Sequence, residues 1–231
     1  MANVEKKVCL PGDLVQKLPE EGVLRLGPGL ETREQHVAAV KSGVAHQNKS
    51  GSLLWLEGRQ KRYIPAEGDV VVGTIVDRYG ETFTVDINGP LLALLPQLAF
   101  EGATRRNRPN LKSGDLVYAR VAAASRDLEP QLSCVDNLGR ATVMGPLKDG
   151  ILVQVTSSQA RALLASPPAP VLQALGASLQ YEVAVGQNGR VWVCSASPRT
   201  TVLVANAISA SEFLSPLQIQ TLVGRLVAQI Q

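Results

Sequence analysis

Three arginines fall within four positions, Arg105, Arg106 and Arg108, inside the run Glu101-Gly102-Ala103-Thr104-Arg105-Arg106-Asn107-Arg108-Pro109-Asn110. A guanidinium is planar and donates paired hydrogen bonds in a fork that fits a phosphate, so this cluster has the chemistry to hold a polyanion. Lys112 follows it as a weaker candidate. Docking onto another protein would use the same residues, and the run by itself supports either use. A second run, Gly186-Gln187-Asn188-Gly189, has the G-x-x-G form of a loop that clamps nucleic-acid backbone. Asn-Gly is also the strongest short signal for a hairpin turn.

Catalytic chemistry is poorly supplied. His36 and His46 are the only histidines, and the acidic residues are scattered singly. Metal-assisted hydrolysis wants clustered carboxylates, and general-base chemistry wants a placed histidine. No H-x-x-x-H, G-x-S-x-G or P-loop spacing occurs. The expectation is therefore a protein that is not an enzyme and uses no metal or other cofactor. Cys9, Cys134 and Cys194 are widely spaced and odd in number, which fits a reducing compartment with the thiols as small core residues. The first eleven residues hold two lysines and no apolar stretch, so no secretory leader is expected, and no apolar run is long enough to cross a membrane.

The net charge of +3 is mild, but its distribution is uneven. Residues 64–137 carry seven basic and ten acidic side chains, yet six of the seven basic ones lie between Arg105 and Arg126. Only Asp115 opposes them in that stretch. A local basic patch on an acidic segment is a more specific sign of a polyanionic partner than a basic total.

The elements that must position these residues divide into three. A Gly-Asp pair precedes an aliphatic run at Gly12-Asp13, Gly68-Asp69 and Gly114-Asp115, and each reads as a turn that opens a strand. Residues 1–63 predict a small β domain, with strands at Val8–Leu14, Val23–Leu26 and Leu53–Leu56 and an undecided strand or helix over 34–41. Residues 64–137 predict five short strands with one long loop after the third, the pattern of an OB barrel. Within it, Phe83, Val85 and Ile87 alternate with Thr82, Thr84 and Asp86, as a half-buried strand requires. Residues 138–231 predict strand, helix, helix, strand, strand, helix, the order of a KH domain, with a second helix closing the chain. Ser157 or Ser158 is the expected cap of the first helix. The fold class is thus mainly β with α+β character.

In a KH domain the G-x-x-G joins two helices, whereas here it lies between the expected strands 181–185 and 190–194. Ser166-Pro167-Pro168-Ala169-Pro170 occupies the helix–helix position. A structural hairpin is favoured, and a direct clamp is the alternative. Aromatic side chains that could stack on bases are few: Tyr79, Phe83, Phe100 and Tyr118. Phe83 belongs to the apolar face of its strand, Tyr79 to a turn, and Trp192, between two valines, to packing.

Three runs together resemble a known family. They are Gly102-Ala103-Thr104-Arg105-Arg106-Asn107-Arg108-Pro109-Asn110, Gly114-Asp115-Leu116-Val117-Tyr118 and Gly186-Gln187-Asn188-Gly189-Arg190-Val191-Trp192-Val193, with Leu10-Pro11-Gly12-Asp13 at the start. They look like the S1/KH cap subunit of the RNA exosome called ribosomal RNA-processing protein forty. The resemblance implies an S1-type OB barrel and a KH-like domain after an N-terminal domain. It also implies RNase-PH-like ring subunits and other cap subunits as partners in a hetero-oligomer; the lack of a long apolar run adds the expectation of no membrane partner. Single-stranded RNA would be guided toward a central channel for decay and ribosomal RNA maturation, in nucleus, nucleolus and cytoplasm. The resemblance gives Arg105, Arg106, Arg108 and Lys112 as candidates for RNA contact, and Gly186, Asn188, Gly189 and Trp192 as a structural hairpin. The rival readings are a free-standing S1/KH factor in ribosome assembly or translation, and a nuclease.

Overall fold

The structure, a computed structural model, describes residues 7–19, 22–48, 50–58, 62–125, 127–135 and 143–228. It contains two compact units, Met1–Gln60 and Lys61–Gln231. Arg126 and the expected boundary at 137 and 138 lie outside the described residues.

Among the described residues the first unit's regular elements are all β-strands. Its strands are β1 (Lys7–Cys9), β2 (Leu14–Lys17), β3 (Arg25–Leu26), β4 (Leu30–Arg33), β5 (His36–Ala39), β6 (Gly43–Gln47) and β7 (Leu53–Glu57). They form one sheet in the order β1-β6-β7-β3 and another in the order β2-β5-β4. Within the undecided segment at 34–41, His36–Ala39 is a strand, entered by a turn at Glu34-Gln35, with Val37, Ala38 and Ala39 buried. The single strand expected over Val8–Leu14 is two strands, because Gly12 turns the chain at φ 96°. Cys9, Ala39, Ala45 and Leu56 make a small core.

The turn at Gly12 recurs. The Leu10 N–H donates to Asp13 Oδ2 at 2.8 Å, the Ala66 N–H to Asp69 Oδ2 at 3.3 Å, and the Lys112 N–H to Asp115 Oδ2 at 2.7 Å. In each case the Asp N–H closes the turn on the carbonyl three residues back, at 3.0, 3.2 and 3.1 Å. The intervening glycines have φ of 96°, 89° and 94°, a region that only glycine occupies without strain. One turn chemistry therefore opens a strand three times.

The second unit begins with a barrel. Its strands are β8 (Val70–Tyr79), β9 (Thr82–Asp86), β10 (Ala93–Pro96), β11 (Leu116–Ala123) and β12 (Gln131–Ser133). They run in the order β12-β10-β9-β8-β11, and β12 also pairs with β11, which closes the barrel. Closure leaves no free strand edge among these five. A short β13 (Gly145–Leu147), not expected from the sequence, pairs with β11. Phe83, Val85 and Ile87 are fully buried, as their alternation requires, and Phe83 meets Phe100 edge to face at 6.3 Å. Tyr63, the last residue of the expected N-terminal segment, packs in this core.

The KH portion follows as β14 (Ile151–Gln154), α1 (Ser157–Leu164), α2 (Pro170–Gly176), β15 (Glu182–Val185), β16 (Arg190–Cys194), α3 (Pro198–Ala210) and α4 (Pro216–Val227). Its sheet has the order β14-β16-β15. The cap of α1 is Thr156, not Ser157 or Ser158. Thr156 Oγ1 accepts the Gln159 N–H at 3.2 Å, and Ser157 and Ser158 are already helical. A capping box of Ser215 and Gln218, with Pro216 in the first turn, starts α4. The core joins Val191 and Val193 of the sheet to Leu203, Val204, Ala207 and Ile208 of α3.

Candidate nucleic-acid interface

The arginine run lies on the long connection between β10 and β11. Two hydrogen bonds close a turn there: the Thr104 N–H donates to Asn107 O, and the Asn107 N–H donates to Thr104 Oγ1, both at 3.0 Å. Arg105 and Arg106 occupy its tip and are exposed. Neither guanidinium has a partner among the described residues, so both are available to an anion. Arg108 differs. Its Nε donates to the Arg105 carbonyl at 3.1 Å, and its Nη2 pairs with Glu81 Oε1 at 2.8 Å.

Glu81 belongs to the turn between β8 and β9, so the two loops are joined. Buried Gln97 joins them again from beneath. Its N–H donates to Glu81 O at 2.9 Å and its Nε2 to Gly80 O at 3.2 Å. Tyr79, the last residue of β8, leads into that turn with 87% of its surface exposed. One end of the barrel thus carries two unpaired guanidiniums and an open phenol ring, the groups that hold phosphates and stack bases. Lys112 is exposed too, but it starts a separate turn farther along the connection.

The G-x-N-G residues are elsewhere, where the KH portion meets the barrel. Gly186–Gly189 forms the turn between β15 and β16. Asn188 is 2% exposed, and its Nδ2 donates to Val72 O at 2.9 Å and to Ile87 O at 3.0 Å. Its Oδ1 accepts the Val72 N–H at 3.3 Å, and the Gln187 N–H donates to Val70 O at 2.8 Å. The amide side chain therefore acts as a short extra strand segment beside β8. Gly189 has φ 77°, and a Cβ there would meet Val155 O at 2.5 Å. Trp192 donates from Nε1 to Asp149 O at 2.8 Å and packs with Val72 and Ala184. The Asn188, Gly189 and Trp192 groups face the protein's own interior.

Arg190 completes the junction and was not a sequence candidate. It reaches Asp86 of β9, donating from Nη2 to Oδ2 at 2.6 Å and from Nη1 to the Asp86 carbonyl. Burial pushes the Asp86 carboxyl up. The hydrogen bonds from Arg190 and the Asn88 N–H, with the Arg190 charge, outweigh burial and hold it below the usual carboxylate range. Arg190 had one legible signal, a charge directly before Val191-Trp192-Val193 in a buried strand. Glu81 and Gln97 had none. Cys134 is buried in the barrel, which pushes its thiol up to about 12 and makes it a poor nucleophile. Among the described residues no group of His, Cys, Asp and Glu is arranged for a metal, and no helix is long and apolar enough to cross a membrane.

A closed five-stranded barrel with a cationic loop, locked to a KH sheet and its helices, defines the S1/KH class. Comparisons give the same parts in the same order. The family described as exosome complex exonuclease Rrp40 N-terminal domain matches residues 24–62, exosome complex component RRP40, S1 domain, matches 63–145, and a KH domain matches 150–199. Exosome complex component rrp40 of Schizosaccharomyces pombe is 43% identical over 226 residues, covering 93% of this chain and 94% of the relative. The human RRP40 component is 38% identical over 206 residues, covering 87% and 74%. The crystal structure of a candidate exosome-complex RNA-binding protein shares the fold, with a TM-score of 0.59 at 21% identity over 74% of this chain and 100% of that one. The chain belongs to the RRP40 family of exosome complex components.

Proposed function

We propose that this chain is a non-catalytic, RNA-binding cap subunit of an RNA exosome. It stabilises a ring of RNase-PH-like subunits, beside other cap subunits, and guides single-stranded RNA into the central channel for 3'–5' processing and decay, ribosomal RNA maturation included. It works in the nucleus, nucleolus and cytoplasm. The reading divides the chain into an N-terminal domain at 1–63, an S1-type barrel at 64–137 and a KH-like domain at 138–231.

The observation that carries the RNA-guiding part is the exposed pair Arg105 and Arg106 on a closed turn that Arg108 joins to Glu81, two residues after the exposed ring of Tyr79. Guanidinium groups attract and orient phosphate without bringing a proton acceptor or nucleophile to it, which suits passage of RNA and not its cleavage. Lys112 adds charge farther along the same connection. The Gly186–Gly189 turn serves as the structural hairpin of the KH-like domain.

The test is a native pull-down of the tagged protein, wild type against Arg105→Ala/Arg106→Ala/Arg108→Ala, followed by ultraviolet crosslinking of bound RNA. Ring subunits are expected with both proteins, and crosslinked RNA is expected to fall for the variant. Loss of ring subunits from the variant alone would make the loop a protein-docking surface. Absence of ring subunits from both would end the cap reading.

A further inference from the structure

We infer that the three arginines divide their work: Arg105 and Arg106 bind phosphate, whereas Arg108 is a positioning residue that holds the turn in its binding shape. This rests on the RNA-guiding reading above and assigns roles within that site.

Arg108 is committed on both sides. Its Nη2 pairs with Glu81 at 2.8 Å and its Nε is held by the Arg105 carbonyl at 3.1 Å. The second bond ties Arg108 to the backbone of the residue that presents the first free guanidinium. The first ties that backbone to the β8–β9 turn, which Gln97 anchors to the barrel through Glu81 O and Gly80 O. The Arg108 side chain is 34% exposed, and Glu81 is 67% exposed. A flexible loop that must be ordered on binding loses affinity for every side chain it immobilises. Ordering the turn beforehand removes part of that loss. A phosphate could displace Glu81 from Arg108 only by breaking this brace, whereas Arg105 and Arg106 need break nothing.

The opposite assignment makes Arg108 a third phosphate ligand that Glu81 masks. The two assignments predict opposite signs in a double-mutant cycle. The full chain is titrated with a labelled twenty-nucleotide oligouridine at several salt concentrations. The proteins are wild type, Glu81→Gln, Arg108→Ala, Arg108→Lys, the Glu81→Gln/Arg108→Ala double variant and Arg105→Ala/Arg106→Ala. Under the brace, Glu81→Gln weakens binding about two- to fivefold more in the wild type than in the Arg108→Ala background, the range of an exposed ion pair. Arg108→Lys behaves like Arg108→Ala, because an ammonium keeps the charge but lacks the fork that reaches both partners. Without RNA, hydrogen exchange at the Asn107 amide speeds up in Arg108→Ala. Arg105→Ala/Arg106→Ala lowers the slope of log affinity against log salt by about 1.4, the value for two single-strand phosphate contacts.

The inference is overturned if Glu81→Gln tightens binding more in the wild type than in the Arg108→Ala background, or if the two effects are equal. If Arg105→Ala/Arg106→Ala leaves both affinity and salt slope unchanged, the RNA-guiding reading fails and the assignment falls with it. That outcome is distinct from failure of the brace alone, in which the tip variants still bind more weakly.

Discussion

Arg190, on the KH hairpin, places its guanidinium 2.6 Å from the carboxylate of Asp86 in the barrel strand β9 and also binds that residue's carbonyl. A single side chain thus grips both the backbone and the charge of the neighbouring fold. Replacing Arg190 by Ala leaves the Asp86 groups without their charged donor. The expected loss is about 2 kcal/mol in urea unfolding, within the range for hydrogen bonds to charged groups. An unchanged midpoint would show that water replaces the guanidinium at no loss.

The same pair sets a pH dependence. Asp86 has a carboxyl pKa depressed in the folded state, so the unfolded chain takes up its proton first as pH falls. The stability this group contributes is complete above the unfolded carboxylate value of about 3.9 and is lost as pH falls below it. Asp86→Asn should therefore be less stable than wild type at pH 7, and the gap should narrow by pH 3. Urea titrations at the two pH values measure it. A gap that is constant with pH would mean that Asp86 acts through shape alone.

Asn188→Asp keeps the size of the side chain but removes both donors to Val72 O and Ile87 O and turns a carboxylate toward two carbonyls. The expected destabilisation is about 3 kcal/mol or more. Limited proteolysis should cut the variant between barrel and KH portion while the wild type resists.

Two glycine substitutions separate strain from space. At Gly114 the φ is 94° but no atom lies within 4 Å of an added Cβ, so Ala is expected to lose about 1 kcal/mol from backbone strain. At Gly189 the φ is 77° and the Cβ also strikes Val155 O at 2.5 Å. Gly189→Ala should be clearly the more damaging of the two by thermal unfolding. Equal losses would show that the β14–α1 connection yields freely.

Tyr79 and Phe83 stand on adjoining strands and should fail in different assays. Tyr79→Ala removes an 87% exposed ring, and should weaken single-strand RNA binding by about 1–3 kcal/mol with stability unchanged. Phe83→Ala removes a fully buried ring and should lower stability by about 3–5 kcal/mol. Binding and unfolding measured on both variants would reverse this assignment if Tyr79→Ala left RNA affinity intact.

Local pattern made much of the fold legible. The alternation of Thr82 to Ile87, the Pro-led start of α4 and the Gly-Asp turns all act over a few residues, and periodicity reports them. The strand expected across Val8–Leu14 failed because its apolar residues straddle the Leu10–Asp13 turn, where the backbone bond to the Asp13 side chain overrides hydrophobicity. Thr156 was missed as a cap because three hydroxyl residues in a row offer the same oxygen, and only geometry selects the first. The site was legible in its charges and not in its restraints. Arg105, Arg106 and Arg108 read as equals in sequence. Their difference comes from Glu81, a residue of another turn that pattern does not connect to them. The bonds from Asn188 to Val72 span 116 positions, a distance at which only the closed barrel and the KH sheet together decide the partner.

The turn at Gly186–Gly189 has its bonding groups turned inward, onto Val70, Val72 and Ile87. A cell would therefore register a substitution there as scarcity. Losses of one to two kcal/mol are enough to change the abundance of a marginally stable chain several-fold through quality control. The molecules that survive would still present Arg105 and Arg106 unaltered, so the defect would follow dosage and would ease when more of the same altered chain is made.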